Sequence, residues 1–395
     1  MRETVHEISD VEQELRRAAP HQLVDVVEEA LRKHCGALGV ELRLADYGMR
    51  SLQLVGPAPG AEPSVPIHDS PQGRAFGAQE PYADKGPSSV LLHLPVTVRG
   101  DRLGVLTAEL PPETDLRPLL TGLDRVCAAL GHEILVAERD TDLYVLARRA
   151  KRLTLAAEMQ WQLLPGLSCA RPEFALAAHL EPAYAIFGDN YDWSVSDGRL
   201  TLTVTNGMGE GIEAALLTNL AINALRNARR AGLSLADQAA LADQAVYAQY
   251  RGAAFVSVLL LCFDLATGEV EAVDAGSPRL WRLRGPSVEP IVFEAQLPLG
   301  MFEDTVYAPQ RFTVRPGDRL LFGSDGVYAA VSPTGESYGD RALARALKGT
   351  RLLPPTQVPQ AMVRELTTHH GGDPLEDDAL VVCLDWHGAA SPEAE

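Results

Sequence analysis

The spacing of apolar residues divides the first part of the chain into helical and strand-like segments. From His21 the apolar residues recur at helical intervals and end before Gly36, which predicts a helix. The period then changes to two, as in half-buried strands. Four segments show this alternation: residues 40–44, 52–55, 89–98 and 103–109. Residues 56–88 are rich in Pro, Gly and Ala, which predicts a long loop carrying at most a short helix.

This order of elements resembles a GAF domain, a small sensory α+β fold. The resemblance rests on the helix, the two strand pairs and the intervening loop, and on the phrases Leu94-Pro95-Val96 and Leu103-Gly104-Val105-Leu106. It implies a sensor domain over residues 20–118. His93 lies in an alternating strand, so we expect it to be structural. Residues 1–19 are charged and weakly patterned, and we expect a flexible N-terminus or a short leading helix there.

Residues 119–165 predict a helical linker. Between Leu119 and Leu164 the chain has no proline, and apolar residues recur among Glu, Asp and Arg until Pro165-Gly166 ends the pattern. Two interpretations stay open. The segment is either a terminal helix packed on the first domain or a coiled-coil-like connector that carries a signal and forms a homodimer.

The rest of the chain mixes strands and helices, which predicts an α+β sandwich over residues 166–387. The predicted strands are residues 174–180, 200–204, 255–265, 270–274, 280–283, 311–314, 319–322 and 379–384. The predicted helices are residues 212–231, 234–250, 340–347 and 355–368. Residues 388–395 are predicted to be a disordered tail.

Composition narrows the class of protein. The 395 residues suggest two domains, and a net charge of -18 argues against binding to nucleic acid or to an anionic membrane. No apolar run is long enough for a membrane span, and the N-terminus lacks the apolar core of a secretion signal. The five cysteines are widely scattered and form no metal-type pair. We therefore expect a cytoplasmic protein with reduced thiols.

Acidic residues beside glycine recur in the second half of the chain. They occur in Gly188-Asp189, Ser324-Asp325-Gly326 and Asp377-Asp378. Each alone is typical of a turn. Several Asp side chains from different strands would supply the oxygen ligands that Mg²⁺ and Mn²⁺ prefer in two-metal hydrolytic sites.

The ordered set of these motifs resembles the PPM family of metal-dependent serine/threonine phosphatases, in its SpoIIE-like branch. The set covers about residues 155–387 and comprises Gly188-Asp189, Asn206-Gly207-Met208-Gly209-Glu210-Gly211, Asp274-Ala275-Gly276, Leu297-Pro298-Leu299-Gly300, Gly323-Ser324-Asp325-Gly326 and Asp377-Asp378-Ala379. The resemblance implies a PPM α-β-β-α sandwich and a pair of Mn²⁺ or Mg²⁺ ions that activate water. It also implies that Asp189, Asp325 and Asp377 lie at or near the metals, with Gly207 offering a backbone carbonyl.

The sequence departs from the family at the position of the bridging ligand. The family has Asp-x-Met-Gly-His-Gly, whereas this chain has Asn206 in place of the bridging Asp and Glu210 in place of the His. Two further departures are Phe187 before Gly188 and Ser277 after Gly276. An amide supplies no charge and does not readily bridge two ions, so we expect one ion or weak binding. Glu210, Asp192 or Asp378 are candidates to restore the missing charge.

Three functions remain open. The first is weak or lost hydrolysis of phosphoserine or phosphothreonine on a regulatory protein, such as the anti-sigma-factor antagonists that this branch acts on. The second is a pseudophosphatase that binds a partner without turnover. The third, a phosphatase for small molecules, is disfavoured because no basic substrate-binding cluster lies beside the motifs.

Overall fold

The structure is a computed structural model that describes residues 11–56, 62–182, 184, 188–276, 278–372, 375 and 377–389. The predicted tail at 388–395 lies outside the described residues from position 390 onward. The chain divides into two units, Met1–Arg152 and Leu153–Glu395. Within the described residues, no helix combines the length and the apolar character needed to cross a membrane.

The first unit is built on one antiparallel sheet of six strands in the order β3-β2-β1-β6-β5-β4. The strands are β1 (Gly39–Ala45), β2 (Ser51–Leu54), β3 (Ser64–Pro66), β4 (Tyr82–Lys85), β5 (Val90–Val98) and β6 (Asp101–Leu110). The predicted long loop at 56–88 thus contributes both edge strands. Alternate residues of β1, β5 and β6 face the helices and form an apolar core.

The described residues of this unit form five helices, besides a 3₁₀ turn at Pro20–Gln22. They are α1 (residues 11–17), α2 (Leu23–Cys35), α3 (Pro71–Ala78), α4 (Arg117–Ala137) and α5 (Leu143–Ala147). α2 ends at Gly36, which adopts the left-handed conformation (φ 66°) that closes helices. Of the two alternatives expected over residues 1–19, α1 matches the short leading helix, and residues 1–10 lie outside the described residues. Val11 and Leu15 lie one helical turn apart, and burial in the core makes that turn stable.

The predicted helical linker at 119–165 is divided between the two units, because the boundary falls after Arg152. In α4 the apolar side chains at helical spacing, among them Leu123, Leu130 and Ile134, are buried in the core of the first unit. In α5, Tyr144 donates a hydrogen bond to the carbonyl of Pro20 at 2.7 Å. These contacts match the packed terminal helix, one of the two interpretations of this segment.

The second unit contains two antiparallel sheets, β15-β12-β11-β10-β9 and β14-β13-β16-β17-β8-β7. Their strands are β7 (Ser168–Ala170), β8 (Phe174–Glu181), β9 (Asp189–Ser196), β10 (Arg199–Gly207), β11 (Val256–Asp264), β12 (Glu269–Ala275), β13 (Arg279–Arg284), β14 (Ser287–Ile291), β15 (Gln310–Thr313), β16 (Arg319–Gly323) and β17 (Ala379–Trp386). Apolar side chains from β8, β10, β11, β16 and β17 meet between the sheets and exclude water.

Helices cover both outer faces of this sandwich, which gives an α-β-β-α arrangement. They are α6 (Leu155–Leu163), α7 (Gly211–Arg230), α8 (Leu235–Tyr250), α9 (Asp325–Tyr328), α10 (Leu343–Gly349) and α11 (Val358–His369), with a π-helical turn at Tyr338–Ala342 and 3₁₀ turns at Thr350–Leu352 and Pro355–Gln357. α7 and α8 pack on the five-stranded sheet, and α10 and α11 pack on the six-stranded sheet. The α+β class predicted from the sequence is confirmed.

Candidate functional site

Four carboxylates and one amide, from the ends of four strands, meet at one end of the sandwich. Asp189 begins β9, and its register partner on β10 is Asn206. Asp325 begins α9 directly after β16, while Asp377 and Asp378 come directly before β17, the neighbour of β16. We call these five residues the carboxylate cluster. Four of them were singled out as metal ligands or as the altered metal position, and Asp378 as a compensating residue.

Asn206 holds Asp325 in place. Its side-chain amide donates a hydrogen bond to Asp325 Oδ1, and the same oxygen accepts from the backbone N–H of Gly326 at 3.1 Å. The amide and the carboxylate come from different sheets, so this bond joins the two sheets at the cluster. One oxygen of Asp325 is therefore already used by protein donors.

Backbone donors also bind the other carboxylates. The N–H of Asp189 donates to Asp378 Oδ2 at 3.2 Å, and the N–H of Asp378 donates to Asp377 Oδ1 at 2.9 Å. Ser324 anchors the start of β17, since its hydroxyl accepts from the N–H of Leu380 at 3.0 Å. Asp189 Oδ2 is buried and has no hydrogen-bond partner among the described residues.

Two close backbone contacts at the cluster require glycine. Gly188 has φ of 121°, and a Cβ there would lie 2.2 Å from the carbonyl oxygen of Gly207. A Cβ on Gly326 would lie 1.9 Å from the carbonyl oxygen of Asp378. The Thr218 hydroxyl donates to the Gly188 carbonyl at 3.0 Å and ties this loop to α7. The predicted ligand Gly207 thus has its carbonyl packed against Gly188.

Among the described residues, the carboxylates of the cluster act on one another as like charges. Burial raises the pKa of Asp189 well above its ordinary value, and the negative charge of Asp378 raises it further. Burial likewise raises the pKa of Asp325, with Asp377 adding to the shift and the Asn206 hydrogen bond opposing it. No cation is among the groups that shift either pKa. A bound cation would relieve this mutual repulsion.

A helix before the sandwich also contacts the cluster. The Gln160 side chain of α6 is buried and donates its amide hydrogen to the backbone carbonyl of Asp189. Neither Gln160 nor Ser324 was a predicted site residue. The sequence did contain a signal for Gln160, because it is a polar residue on the apolar face of a short helix. A polar side chain that is buried in this way needs a hydrogen-bond partner.

Part of the second unit is similar to known proteins. Residues 196–387 match the family model of Stage II sporulation protein E (SpoIIE). We call this matched region, which lies within the second unit, the SpoIIE-type domain. Protein IcfG of Synechocystis sp. (strain ATCC 27184 / PCC 6803 / Kazusa) is 20% identical over 255 residues, which are 58% of this chain. Those residues span only 40% of the length of Protein IcfG.

Solved structures agree on the fold of the SpoIIE-type domain. The RsbU and RsbW domains of Rv1364c from Mycobacterium tuberculosis share 20% identity with a TM-score of 0.51, covering 58% of this chain and 64% of that chain. The SiaA-PP2C domain of Pseudomonas aeruginosa shares 22% identity with a TM-score of 0.50, covering 58% of this chain and 94% of that chain. At these identities the likeness is one of fold.

The structure does not bring Asp192 to the carboxylate cluster of the SpoIIE-type domain. Its two oxygens bind Arg226 at 2.7 Å and Arg229 at 2.9 Å, both on α7. The preceding residue, Tyr191, points between the sheets, and side chains alternate along a strand, so Asp192 faces the helices instead. Arg226 also donates to the Leu163 carbonyl at 2.7 Å. Asp192 therefore holds α7 against β9, and its two arginine partners already offset its negative charge.

Glu210 is exposed at the start of α7, and its side chain makes no capping hydrogen bond. The two remaining departures that the sequence showed, Phe187 and Ser277, lie outside the described residues. Asp378 is the one compensating candidate that the structure places inside the cluster, through its contact with the Asp189 N–H.

The SpoIIE-type domain has the ligand chemistry for a hard cation but not a complete site for one. Mg²⁺ and Mn²⁺ prefer oxygen donors, and the cluster offers four carboxylates, one of which has the buried Asp189 Oδ2 without a hydrogen-bond partner among the described residues. Within the described part of the chain, however, no group of three or more His, Cys, Asp or Glu side chains is arranged to hold a metal ion. Backbone N–H groups and the Asn206 amide bind the carboxylate oxygens instead.

Proposed function

We propose that this protein acts in signalling through its SpoIIE-type domain, and that its metal-dependent hydrolysis of phosphoserine or phosphothreonine is weak or lost. The observation that carries this proposal is the hydrogen bond from the Asn206 amide to Asp325. In the family that the sequence resembles, the position of Asn206 holds a bridging Asp. A hydrogen-bond donor stands where a second carboxylate would attract the cation.

Asn206 changes both the charge and the hydrogen bonding at the position where a metal ion would bind. A metal ion between Asn206 and Asp325 would have to displace the amide hydrogen from Asp325 Oδ1 before it could bind that oxygen. The amide could then offer one neutral oxygen, so the site would lose one negative charge relative to the family pattern. Bound Mn²⁺ or Mg²⁺ would lower the pKa of water to give a nucleophile, so weak binding means slow hydrolysis.

The alternative is a pseudophosphatase that binds a phosphorylated partner without turning it over. Protein donors already bind one oxygen each of Asp325, Asp377 and Asp378 without a metal ion, so these side chains are held in place in the metal-free state. By the family resemblance, the partner class is a phosphorylated regulatory protein such as an anti-sigma-factor antagonist.

Enzyme assays on variants of the full chain separate these functions. We would measure Mn²⁺-dependent hydrolysis of p-nitrophenyl phosphate by the wild type, Asn206→Asp and Asp325→Ala. The expected result is little turnover by the wild type and a gain of about tenfold or more in Asn206→Asp, which regains the missing charge. Asn223→Asp adds the same charge on the exposed face of α7 and is the matched control.

Two outcomes would contradict the proposal. Rapid wild-type turnover that Asp325→Ala abolishes would show a fully active phosphatase. Equal activity of Asn206→Asp and Asn223→Asp would show that position 206 does not limit hydrolysis.

For the first unit we propose a GAF-like sensor, supported by a cavity beside its sheet. The cavity has a volume of about 1080 Å³ and includes Arg43, Gln72 and Thr107 in its wall. Arg43 is buried, and its Nε and Nη1 atoms have no hydrogen-bond partner among the described residues. Native mass spectrometry of the purified chain would detect a retained small molecule, which Arg43→Leu should lose. Identical masses for both variants would contradict a ligand at Arg43.

A homodimer through residues 119–165 is a further part of the proposal. Four apolar side chains in this segment are exposed in the single chain: Leu135, Val136, Leu146 and Leu155. Burying such side chains favours association. Light scattering should give a dimer mass that falls to a monomer mass when Val136 and Leu146 are changed to Glu. The five free cysteines support a reducing, cytoplasmic environment.

A further inference from the structure

One arginine lies at the same end of the sandwich as the carboxylate cluster. After β12 the chain passes from the five-stranded sheet to the six-stranded sheet, and β13 begins at Arg279. The register partner of Arg279 is Gly323, the last residue of β16 and two residues before Asp325. On the other sheet, Gly276 packs closely on Ser257, which is the register partner of Asn206. The crossing segment therefore borders the cluster.

An aromatic ring holds Arg279 at this border. Its guanidinium carbon lies 4.0 Å from the ring centroid of Tyr328, the last residue of the short helix that Asp325 begins. Trp281 supports the same ring from the next position on that face of β13, with centroids 6.2 Å apart. A guanidinium stacked on a ring keeps its N–H edge available for a hydrogen-bond acceptor.

Arg279 differs from the other arginines of this sheet. Arg282, Arg284 and Arg319 form ion pairs with Glu289, Asp318 and Asp385. Arg279 is exposed and forms no ion pair within the part of the chain that the structure describes.

Arg279 acts electrostatically on one neighbouring acid, Asp274. Arg279 lowers the pKa of Asp274, although burial raises that pKa on balance. The Asp274 carboxylate is bound to the N–H of Gly276 through Oδ1 at 3.0 Å. Asp274 therefore orients the crossing segment and leaves the guanidinium edge of Arg279 open.

We propose that Arg279, held on Tyr328, binds an oxyanion of the phosphorylated partner at the border of the carboxylate cluster. The oxyanion is either the phosphoryl group or a carboxylate that flanks the phosphorylated residue. This inference rests on the proposed function of the domain. A chain with a net charge of -18 and four carboxylates at the site repels a phosphoprotein. A stacked guanidinium at the border would offset that repulsion locally and position the partner.

The test measures binding of two fluorescein-labelled peptides to the full chain by anisotropy. Each peptide carries one phosphoserine, flanked by alanines in the first and by aspartates in the second. Arg279→Ala should raise Kd about fivefold, the effect of losing about one exposed charged contact. Arg279→Lys keeps the charge but loses the planar stack and should give an intermediate Kd. Arg311→Ala removes the same charge from a remote exposed site and is the matched control.

The two peptides distinguish the source of the oxyanion. An equal rise in Kd for both peptides supports contact with the phosphoryl group, and a rise for the aspartate peptide alone supports contact with a flanking carboxylate. Unchanged Kd for both in Arg279→Ala, with clear wild-type binding, would overturn this inference and leave the proposed function standing. Absence of binding by the wild type and by Asn206→Asp, with or without Mn²⁺, would overturn both.

Discussion

Asp189 and Asp192 lie three residues apart on β9 and are almost equally buried, yet their surroundings are opposite. Asp189 meets other carboxylates between the sheets, and its pKa is raised because the charged form is both desolvated and repelled. Asp192 faces α7, where Arg226 and Arg229 bind its two oxygens. The alternation of side chains along one strand produces both environments.

The difference separates a structural carboxylate from one that is available for chemistry. A buried carboxylate between two arginines gains hydrogen bonds and Coulomb attraction that offset its desolvation. A buried carboxylate among other carboxylates is unfavourable until a cation or a proton arrives. Asp192 therefore contributes to folding, whereas Asp189 holds charge that destabilises the metal-free domain.

The largest expected effect comes from Gly326→Ala, which would disrupt the carboxylate cluster itself. The new Cβ would lie 1.9 Å from the carbonyl oxygen of Asp378, so the segment before β17 must move. We expect the free energy of unfolding to fall by at least about 3 kcal/mol in urea titrations. Gly349→Ala is the control, because a Cβ there meets nothing within 4 Å. Equal stability of the two variants would show that the cluster is not tightly packed.

Asp192→Ala should have the next largest effect, a loss of about 2 kcal/mol in the free energy of unfolding. The change leaves Arg226 and Arg229 mostly buried without their carboxylate. Asp192→Asn keeps a hydrogen-bond acceptor and should lose less. Urea titrations of both variants provide the measurement. If Asp192→Ala left the free energy of unfolding unchanged, the proposed difference between the two faces of β9 would be wrong.

Asp189→Asn should stabilise the metal-free protein by about 1 kcal/mol at neutral pH, because it removes a repelled charge. A raised pKa means that the folded state binds the proton more tightly than the unfolded chain does. The wild type should therefore lose stability as pH rises from the ordinary Asp value of 3.8 through the raised pKa of Asp189. The gain from the substitution should vanish near pH 4. Unfolding in chelator across this range tests the sign, and parallel curves for the two proteins would refute it.

The smallest effect is expected for Glu271→Ala, which tests an ion pair at the surface against the buried ion pairs of Asp192. Glu271 pairs with Arg311 at the surface, where the Arg311 side chain is 75% exposed and the Glu271 side chain is 38% exposed. Solvent screens such pairs, so we expect a loss of less than about 0.5 kcal/mol in the same titration. A loss as large as that of Asp192→Ala would mean that burial is not what distinguishes these acids.

Much of the sandwich could be predicted because its strands are apolar and its helices are amphipathic. β9 was missed, since Asp189-Asn190-Tyr191-Asp192 contains residues that disfavour strands. Pairing with β10 along eight residue pairs makes this segment a strand. Such pairing depends on a neighbour, so the local pattern could not reveal it.

The candidate site could be predicted only in part, because the contacts between its residues also depend on neighbouring elements. The order of motifs indicated Asp189, Asp325 and Asp377, and the structure places these with Asp378 and Asn206. The partners of Asp192 lie on α7, 34 and 37 residues further along the chain, so no local spacing links them to Asp192. The orientation of the Asn206 amide toward Asp325 likewise depends on how two sheets meet, which the sequence does not encode locally.

The position of β17 sets the order in which the protein can be completed on the ribosome. This strand, the last one that the structure describes, lies between β16 and β8 inside the six-stranded sheet. Until residues 379–386 are synthesised, the two halves of that sheet stay apart and expose apolar edges. The first unit draws its six strands from one continuous stretch and can fold while the second is still being made. The second unit is therefore the part of the chain that depends most on protection by chaperones during synthesis.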